Sequence, residues 1–205
     1  MSKFTLTRGL SNIMYAEVTT DDSGAYTVGE PKQLIPAGNL TIAVEASTND
    51  TYFDNAVFYR AGQEGNSTVT IDGAMLRPDM IADITGKTVD AETGAIVDDG
   101  KYHEKYFAVG GRIGLVDGTY IDIWYLKGTF GYPQEAAKTE DATTDVGSMS
   151  LTFSAMRTIY EFGGKGSCKR VLMDSEVSKM VDTKDFFGQV VTPENIATLI
   201  AKKTV

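Results

Sequence analysis

Cysteine and histidine are almost missing from this chain of 205 residues, which contains one of each, Cys168 and His103. A single cysteine excludes an internal disulfide framework and a cysteine-rich zinc site. His103 precedes Glu104, as in a zincin helix, but Phe107 stands where that motif needs its second histidine. Because Ser-His-Asp and Cys-His catalysis would both depend on His103, the sequence offers little support for either mechanism.

An excess of basic residues and long apolar runs are also absent. The chain has 19 Lys and Arg against 28 Asp and Glu, a formal net charge of −9. Proteins that hold nucleic acid by its phosphates need clustered Lys and Arg, so this charge argues against such a role. No stretch approaches the roughly 18 consecutive apolar residues of a membrane span. The opening residues lack an apolar segment of signal-peptide length, and we expect no membrane association.

Motifs for cofactors are not evident either. The glycines at 110, 111 and 114, and at 163, 164 and 166, fit neither a dinucleotide fingerprint nor a P-loop. Asp90, Glu92, Asp98 and Asp99 could bind a hard cation, but their spacing matches no EF-hand loop and is more typical of turns. We therefore predict no enzymatic activity, no cofactor and no metal.

Strand signals dominate what is present. In "SMSLTFSAM", Met149, Leu151, Phe153 and Ala155 alternate with a polar set made of Ser148, Ser150, Thr152 and Ser154. Similar alternation occurs in "LTIAVEA" and "STVTID", and "GTYIDIWYL" is rich in β-branched and aromatic residues. Turn residues separate these runs. The pattern predicts a mainly β protein.

Two helices and two irregular segments complete the prediction. "RPDMIADITG" has Pro78 early and Gly86 at its end, and residues 192–205 begin with Thr192 as an N-cap. We expect 47–65 to be a long loop and 131–147 to be a polar linker between strands. A short helix around 182–187 is a further prediction, and the whole chain, 1–205, is expected to form one domain.

The first strand raises a question about burial. Met14, Ala16 and Val18 would lie on one face of this strand, and Ile13 and Tyr15 on the other. A strand of a free sandwich usually has one face in solvent, so something must cover the second face.

Several stretches together resemble siphophage major tail tube proteins of the phi13/TP901-1 type. The similar segments are "GLSNIMYAEVTTDDSGAYTVGEPKQL", "TYFDNAVFYRAGQEGNSTVTID", "AMLRPDMIADITG", "YFAVGGRI", "DGTYIDIWYLKGTFGYPQEAAKTEDATTDVGSMSLTFSA" and "DFFGQVVTP". They span about residues 9–193 in the family's order. The first eight residues, the Gly- and Lys-rich stretch at 163–170 and the segment after Pro193 depart from the family pattern.

The resemblance implies a β-sandwich or barrel with a flanking α-helix and a long extended loop. It also implies six copies in a ring, and rings stacked into a tube through which phage DNA leaves the capsid. Candidate contacts between subunits are then Tyr52, Phe53, Phe58 and Tyr59 of the 47–65 loop, with Ile13 and Tyr15 of the first strand. Candidate residues of the lumen wall are Ser148, Ser150, Thr152 and Ser154.

Implied partners are further copies of the chain and the tape measure, tail terminator and distal tail proteins. DNA would pass without specific binding. The expected location is the virion tail, after assembly in the cytoplasm of the bacterial host. The alternative function is a monomeric β-sandwich binding module, for example for carbohydrate, with the exposed aromatic rings stacking on sugars. An enzyme ranks third.

Overall fold

The computed structural model describes residues 4–98, 100–101, 103–135, 148–176 and 186–199. Its longer strands are β1 (Thr7–Asp21), β4 (Ala37–Phe53), β5 (Ala56–Gly73), β8 (Phe107–Leu115), β9 (Tyr120–Phe130), β11 (Met149–Met156) and β14 (Arg170–Asp174). The shorter strands are β2 (Tyr26–Val28), β3 (Lys32–Gln33), β6 (Thr88–Val89), β7 (Ile96–Val97), β10 (Gln134–Glu135), β12 (Glu161–Phe162) and β13 (Gly166–Ser167). The helices are α1 (Pro78–Thr85) and α2 (Ile196–Leu199).

One antiparallel sheet of ten strands organises the described part of the chain. Its order is β2-β1-β8-β9-β11-β5-β4, while β3, β10 and β14 pair with β1, β11 and β9 respectively. The sheet curls far enough for β4 to lie in contact with β1, but within the described ranges no ladder joins these two strands. The expectation of a mainly β fold with a flanking helix is confirmed, and the sheet does not close into a barrel.

The concave face of the sheet holds the larger apolar core. β11 alternates as predicted, with Met149, Leu151, Phe153 and Ala155 buried on this face. Side chains from β5, β8 and β9 meet them there, and Ile84 of α1 and the preceding Leu76 complete the cluster. The period-two pattern of "SMSLTFSAM" therefore reflects a strand with one face buried in the core and one face open to solvent.

A second core lies on the opposite face, behind β1, β8 and β9. Its centre is Trp124, which is fully buried and donates a hydrogen bond from Nε1 to the Phe186 carbonyl at 2.7 Å. Gly110 lies beneath this indole, since a Cβ there would be 2.7 Å from the ring. Val190 and Val191 extend the cluster. Gly110 thus makes room for Trp124, and Gly111 makes room for Ile13, since a Cβ there would be 2.7 Å from Ile13 Cδ1. Packing therefore accounts for these two glycines, which match no cofactor motif.

The two faces of β1 are both covered by the same chain. Ile13 and Tyr15 are each 3 % exposed and belong to the concave core, while Ala16 and Val18 belong to the second core. The Tyr15 hydroxyl also donates to Asp83 Oδ2 at 2.8 Å. The assignment of Ile13 and Tyr15 to a subunit contact is therefore wrong. The rest of the concave core covers Ile13 and Tyr15, while the segment after residue 186, distant in sequence, covers the face that carries Ala16 and Val18.

Asp21 at the end of β1 forms a buried ion pair with β9 and accepts hydrogen bonds from the loop after β11. Lys127 Nζ lies 2.6 Å from Asp21 Oδ2, and the two side chains are 7 % and 3 % exposed. Asp21 also accepts the backbone N–H groups of Ile159 and Tyr160. Burial alone would raise the pKa of Asp21, but these hydrogen bonds lower it below its usual value overall. The ionised carboxylate is thus the form that this site stabilises.

Local chemistry orders the chain at both predicted helix starts. Pro78 occupies the first turn of α1, and Gly86 ends the helix in a left-handed conformation with φ of 72°. At the second helix, Thr192 Oγ1 accepts from the Asn195 N–H, and Asn195 Oδ1 accepts from the Thr192 N–H. This reciprocal pair closes the turn directly before α2, which begins at Ile196, four residues after the predicted N-cap. Helix α2 ends at Leu199 in the described chain, and residues 200–205 lie outside it.

The segment 47–65 is extended, but it is a β-hairpin rather than a loop. It lies within β4 and β5, which pair from Ala37 to Phe53 and meet at a turn formed by Asp54 and Asn55. Register shifts at Val44/Ala46 and Thr51/Tyr52 break the alternation that would have revealed the strands. Of the predicted linker 131–147, residues 134–135 form β10, and 136–147 lie outside the described residues. The predicted helix at 182–187 also falls mostly outside them.

Candidate assembly surfaces

The hairpin of β4 and β5 leaves the body of the protein at the end of β11. Pairing between β5 and β11 stops at Ser67, so among the described residues those at 45–65, here called the arm, pair only with each other. Apart from Asp50, every residue of the arm is exposed. Nine residues of extended chain span about 30 Å at the usual rise per residue. The arm is therefore a thin two-stranded projection with both faces in solvent.

The tip of the arm is a tight turn flanked by aromatic residues. Asp54 and Asn55 have φ of 49° and 62°, as in the two-residue type I′ turns of hairpins. Tyr52, Phe53, Phe58 and Tyr59 are 62 %, 59 %, 75 % and 62 % exposed. The structure thus brings together the four aromatic residues that the sequence analysis selected. It adds Val57, also largely exposed, which that analysis missed.

Two contacts order the arm without burying it. Phe53 and Phe58 meet edge to face with ring centroids 5.1 Å apart. Arg60 donates two hydrogen bonds to the Asp50 carboxylate, at 2.7 Å and 2.9 Å. This guanidinium holds the pKa of Asp50 below its usual value. Because paired residues of adjacent strands share a face, the ion pair helps to set the register next to the aromatic tip.

The base of the arm is fixed to the body by one lysine. Lys169 Nζ, 8 % exposed as a side chain, contacts Glu64 and donates to the Gly65 carbonyl at 2.9 Å. The hydrogen bond from Lys169 lowers the pKa of Glu64. Lys169 belongs to the Gly- and Lys-rich stretch at 163–170, which departs from the resembled family's pattern. One function of that stretch is therefore to support the arm.

A polar face covers the convex side of β11, β5 and β4. Ser150, Thr152 and Ser154 lie on it, opposite Asp72, Thr70 and Thr68 of β5. Thr41 of β4 and Thr129 of β9 extend two of these rows. Ser148, directly before β11, is exposed. The face is wider than the four residues predicted from the sequence, although the alternation in "STVTID" already indicated its second strand.

Charge on the polar face is sparse and negative. Within the cross-strand rows through Ser150, Thr152 and Ser154, Asp72 is the one charged side chain. Hydrogen bonds from Ser150 and Asn39 lower the pKa of Asp72, so it is ionised at neutral pH. Hydroxyl groups provide most of the other side chains in these rows, together with the amides of Gln134 and Asn39 and the methyl group of Ala43.

The outer edge of β4 is a second unusual surface. β4 has 17 residues and ends the strand order, so over the described residues only its inner edge forms a ladder, with β5. Long edge strands present rows of backbone donors and acceptors that can pair with another chain. This edge continues along the arm to its tip.

Cys168 and His103, the side chains on which nucleophilic or acid–base catalysis would depend, lie in surroundings that serve packing. Cys168 is half-buried, its Sγ contacts the Gly166 carbonyl at 3.6 Å, and burial raises the pKa of its thiol, which disfavours the nucleophilic thiolate. His103 packs against Gly86 at the end of α1. Across the residues that the structure describes, no group of three or more His, Cys, Asp or Glu side chains is arranged to hold a metal ion.

The acidic residues around position 90 shape turns, as expected. Asp90 Oδ1 accepts the N–H groups of Glu92 and Thr93. Asp98 accepts the Gly100 N–H and pairs with Lys87 Nζ at 2.6 Å. The hydrogen bond from Lys87 is the largest cause of a pKa of about 2 for Asp98. These contacts confirm the turn interpretation for Asp90 and Asp98, while Asp99 lies outside the described residues.

Comparisons with known proteins give likenesses to solved structures only. No protein-family model matches the chain, and no curated protein matches it. A cryo-EM structure of the PVC sheath-tube complex, an extracellular contractile injection system in its extended state, has a TM-score of 0.41 at 6 % identity, covering 79 % of this chain and 88 % of that one. The cap that terminates the tube of the anti-feeding prophage has a TM-score of 0.42 at 5 % identity, covering 85 % and 97 %. Neither likeness decides between the functions weighed above.

Among the helices of the described chain, none has the length and apolar character to cross a membrane.

Proposed function

We propose that this chain is a structural subunit that assembles with copies of itself into the tail tube of a phage or a phage-derived particle. Six copies would form a ring, and rings would stack into a tube. The observation that carries the proposal is the arm, which projects from the body and exposes four aromatic side chains at its tip. A monomeric protein gains nothing from ordering such a projection in solvent.

The amount of exposed apolar surface supports this interpretation. A buried aromatic side chain removes roughly 150–250 Å² from solvent. Four such residues with about three-fifths or more of that surface exposed present roughly 400–600 Å². A patch of that size is near the upper end of what a monomer exposes, and such patches are often functional. The arm tip alone would supply about half to three quarters of the roughly 800 Å² that each partner buries in a stable interface.

The β4 edge supplies the second element of an assembly. Its 17 residues could extend the sheet of a neighbouring copy by backbone hydrogen bonds. Contacts of this kind are heterologous, because the edge of one copy meets a different surface of the next. Such contacts close into rings or continue into filaments, and a tube of stacked rings uses both arrangements.

The polar face is our candidate for the tube lumen. DNA carries one negative charge per roughly 1.7 Å of duplex, and contacts from Lys or Arg would retard its passage. A wall of hydroxyl groups with a single carboxylate per three rows would not bind phosphates. Ser148, Ser150, Thr152 and Ser154 therefore remain our lumen candidates. The proposal places the protein in the virion tail, with tape measure, tail terminator and distal tail proteins as partners and DNA as passing cargo.

A monomeric carbohydrate-binding module is the alternative, since exposed Tyr and Phe rings can stack on sugars. The shape of the arm favours assembly. Small-ligand sites are concave and surround most of the ligand's surface, whereas the arm is a projection with both faces in solvent. The arm therefore offers a sugar exposed rings to stack on, but no side walls that would enclose the ligand.

Shortening the arm tests the proposal. Replacing residues 51–59 by Asn-Gly keeps the Asp50–Arg60 pair as the last rung of the ladder and provides a type I′ turn. The concave core is untouched, so the variant should fold as a monomer. We expect wild-type protein to sediment as large assemblies at high concentration, and the shortened variant to remain a single chain, slightly lighter than the 22.2 kDa of the wild-type monomer.

The matched control changes only the turn, from Asp54-Asn55 to Asn-Gly, and keeps the arm at full length. It should assemble as the wild type does. If the shortened variant assembles at the same concentration as the wild type, the arm is not needed for assembly. Wild-type protein that stays monomeric at every concentration, and binds oligosaccharides on a glycan array, would replace the proposal with the alternative.

A further inference from the structure

A pocket lies between the end of α1 and the end of β9, and it has a volume of about 270 Å³. Two buried core side chains, Ile84 of α1 and Phe130 of β9, form part of its lining. Tyr132, which is 61 % exposed, adds an accessible aromatic ring to its wall. A concave site with an apolar base is the usual form of a binding site.

Lysine side chains form another part of the lining. Lys87, Lys101 and Lys105 all border the pocket. Lys87 Nζ donates to the Lys101 carbonyl at 2.8 Å, which holds this ammonium group in place. Lys105 Nζ lies 3.6 Å from Asp83 Oδ1 of α1. Ammonium groups attract the faces of aromatic rings, and lysine stems pack against apolar surface. An apolar base bordered by lysines therefore suits an aromatic side chain.

The arm tip carries aromatic rings that fit this pocket. A cavity of roughly 150 Å³ holds a benzene ring, so the pocket has room for one phenylalanine side chain. Phe58 is the most exposed of the four aromatic residues of the tip, and the ring of Phe53 supports it edge to face. Stable interfaces commonly bury an aromatic anchor of this kind in a pocket of the partner.

The arm and the pocket lie on opposite sides of one cross-strand row. Ala155 of β11 pairs with Ser67 of β5 and with Gly128 of β9. The arm leaves the body on one side of this row, where pairing between β5 and β11 has stopped. The pocket lies on the other side, because Phe130 pairs with Phe153, which is nearer to the start of β11. The arm of one copy therefore points away from its own pocket, and its tip can meet the pocket of the next copy.

We propose that the arm tip of one copy inserts Phe58 into this pocket of a second copy, against Phe130 and Tyr132. The inference rests on the proposed function, since it needs copies that assemble, and it names the surface that receives the arm. The contact acts along the strands, whereas backbone pairing at the β4 edge acts across them. Tip-to-pocket contacts would therefore join one ring to the next, and edge pairing would act within a ring. Such a contact is heterologous and can repeat along a tube.

A double-mutant cycle on the critical concentration, the lowest at which assemblies form, tests the contact. Tyr132→Ala should raise this concentration roughly three- to tenfold, the effect of losing one aromatic pair. Phe58→Ala should raise it as well. If the two rings touch across copies, the rise in the double variant should fall at least about twofold short of the product of the single rises. As a control, Phe58→Ala with Ile159→Ala should give rises that multiply, and multiplying rises for Phe58 and Tyr132 would overturn the proposal.

Cross-linking identifies the two surfaces directly. In a Cys168→Ser background, chains with Val57→Cys at the arm tip are mixed with chains carrying Lys101→Cys at the pocket, and an added oxidant joins neighbouring thiols as disulfides. We expect mixed dimers at concentrations where the wild type assembles. The control mixes Val57→Cys chains with Val116→Cys chains and should give few mixed dimers. Val116 is exposed and follows the end of β8 that is farther from the pocket.

The outcomes separate this inference from the proposed function. If the wild type assembles but Val57→Cys chains join Lys101→Cys chains no more often than Val116→Cys chains, the pocket does not receive the arm, and tube formation is unaffected. Efficient linking of Val57→Cys chains to one another would overturn the inference in favour of a contact between two tips. A wild-type chain that assembles at no concentration would overturn both.

Discussion

Phe58→Ala removes the most exposed aromatic side chain of the arm, and the structure separates its effect on assembly from its effect on folding. Phe58 is 75 % exposed, and its ring contact within the chain is with Phe53 of the same arm. An exposed aromatic pair of this kind contributes about 0.5–1.5 kcal/mol. The free energy of unfolding of the monomer should therefore fall by about 1 kcal/mol or less.

The effect on assembly should be larger. Three quarters of a phenylalanine surface of roughly 200 Å² is about 150 Å² available for burial against another copy. At about 25 cal/mol per Å², that burial is worth up to roughly 4 kcal/mol. Alanine retains part of the contact, so we expect a loss of about 2–3 kcal/mol per subunit. Each 1.4 kcal/mol is tenfold in an equilibrium constant, and the critical concentration should rise roughly 30- to 150-fold.

Sedimentation over a concentration series measures that shift, and urea denaturation of the monomer measures folding. The control is Ile159→Ala, which truncates an apolar side chain of the body that is 58 % exposed. It should move the critical concentration much less than Phe58→Ala does. An unchanged critical concentration in Phe58→Ala, with monomer stability also unchanged, would refute the idea that the arm tip is buried on assembly.

Three further predictions follow from other regions. Asp21→Asn should lower the free energy of unfolding by about 3–5 kcal/mol at pH 7, because it leaves Lys127 buried without its partner. The folded pKa of Asp21 is depressed, so its stabilisation is present above the unfolded value of about 3.9 and is lost as pH falls through the folded pKa. Urea titrations of both proteins should therefore converge in acid, and a constant gap would contradict the ion-pair explanation. Ser150→Lys with Thr152→Lys should assemble, since both residues lie on the open face, but should slow DNA ejection in a manner that added salt partly reverses. Normal ejection would place that face away from the lumen. Cys168→Ser should leave assembly unchanged, because burial already disfavours the thiolate, and a specific loss without misfolding would reopen a chemical role.

The parts of the fold that could be predicted are those in which residues close together in the sequence determine the structure. The alternation of β11 follows from one core face and one open face. Pro78 and Gly86 mark the start and the end of α1 through chemistry within a few residues, and Thr192 marks the turn that precedes α2. The arm was misinterpreted as a loop because both of its faces are exposed, which removes the alternation, and because its turn uses Asp54 and Asn55 without a glycine.

Contacts between segments that lie far apart in the chain could not be predicted from the sequence. Ile13 and Tyr15 appeared to need a neighbouring subunit, because nothing local indicated that residues 186–191 return to cover the other face of β1. The aromatic tip of the arm was found correctly as a group, since four aromatic residues in a polar segment stand out without any knowledge of pairing.

Electron microscopy of the purified wild-type chain at high concentration tests the central claim most directly. Our account predicts tubes of stacked rings with six subunits each, in which every arm tip contacts another copy and the Ser/Thr face of β11 lines the lumen. Particles that remain single chains of 22.2 kDa at all concentrations, or assemblies in which the arm tips project freely into solvent, would contradict it.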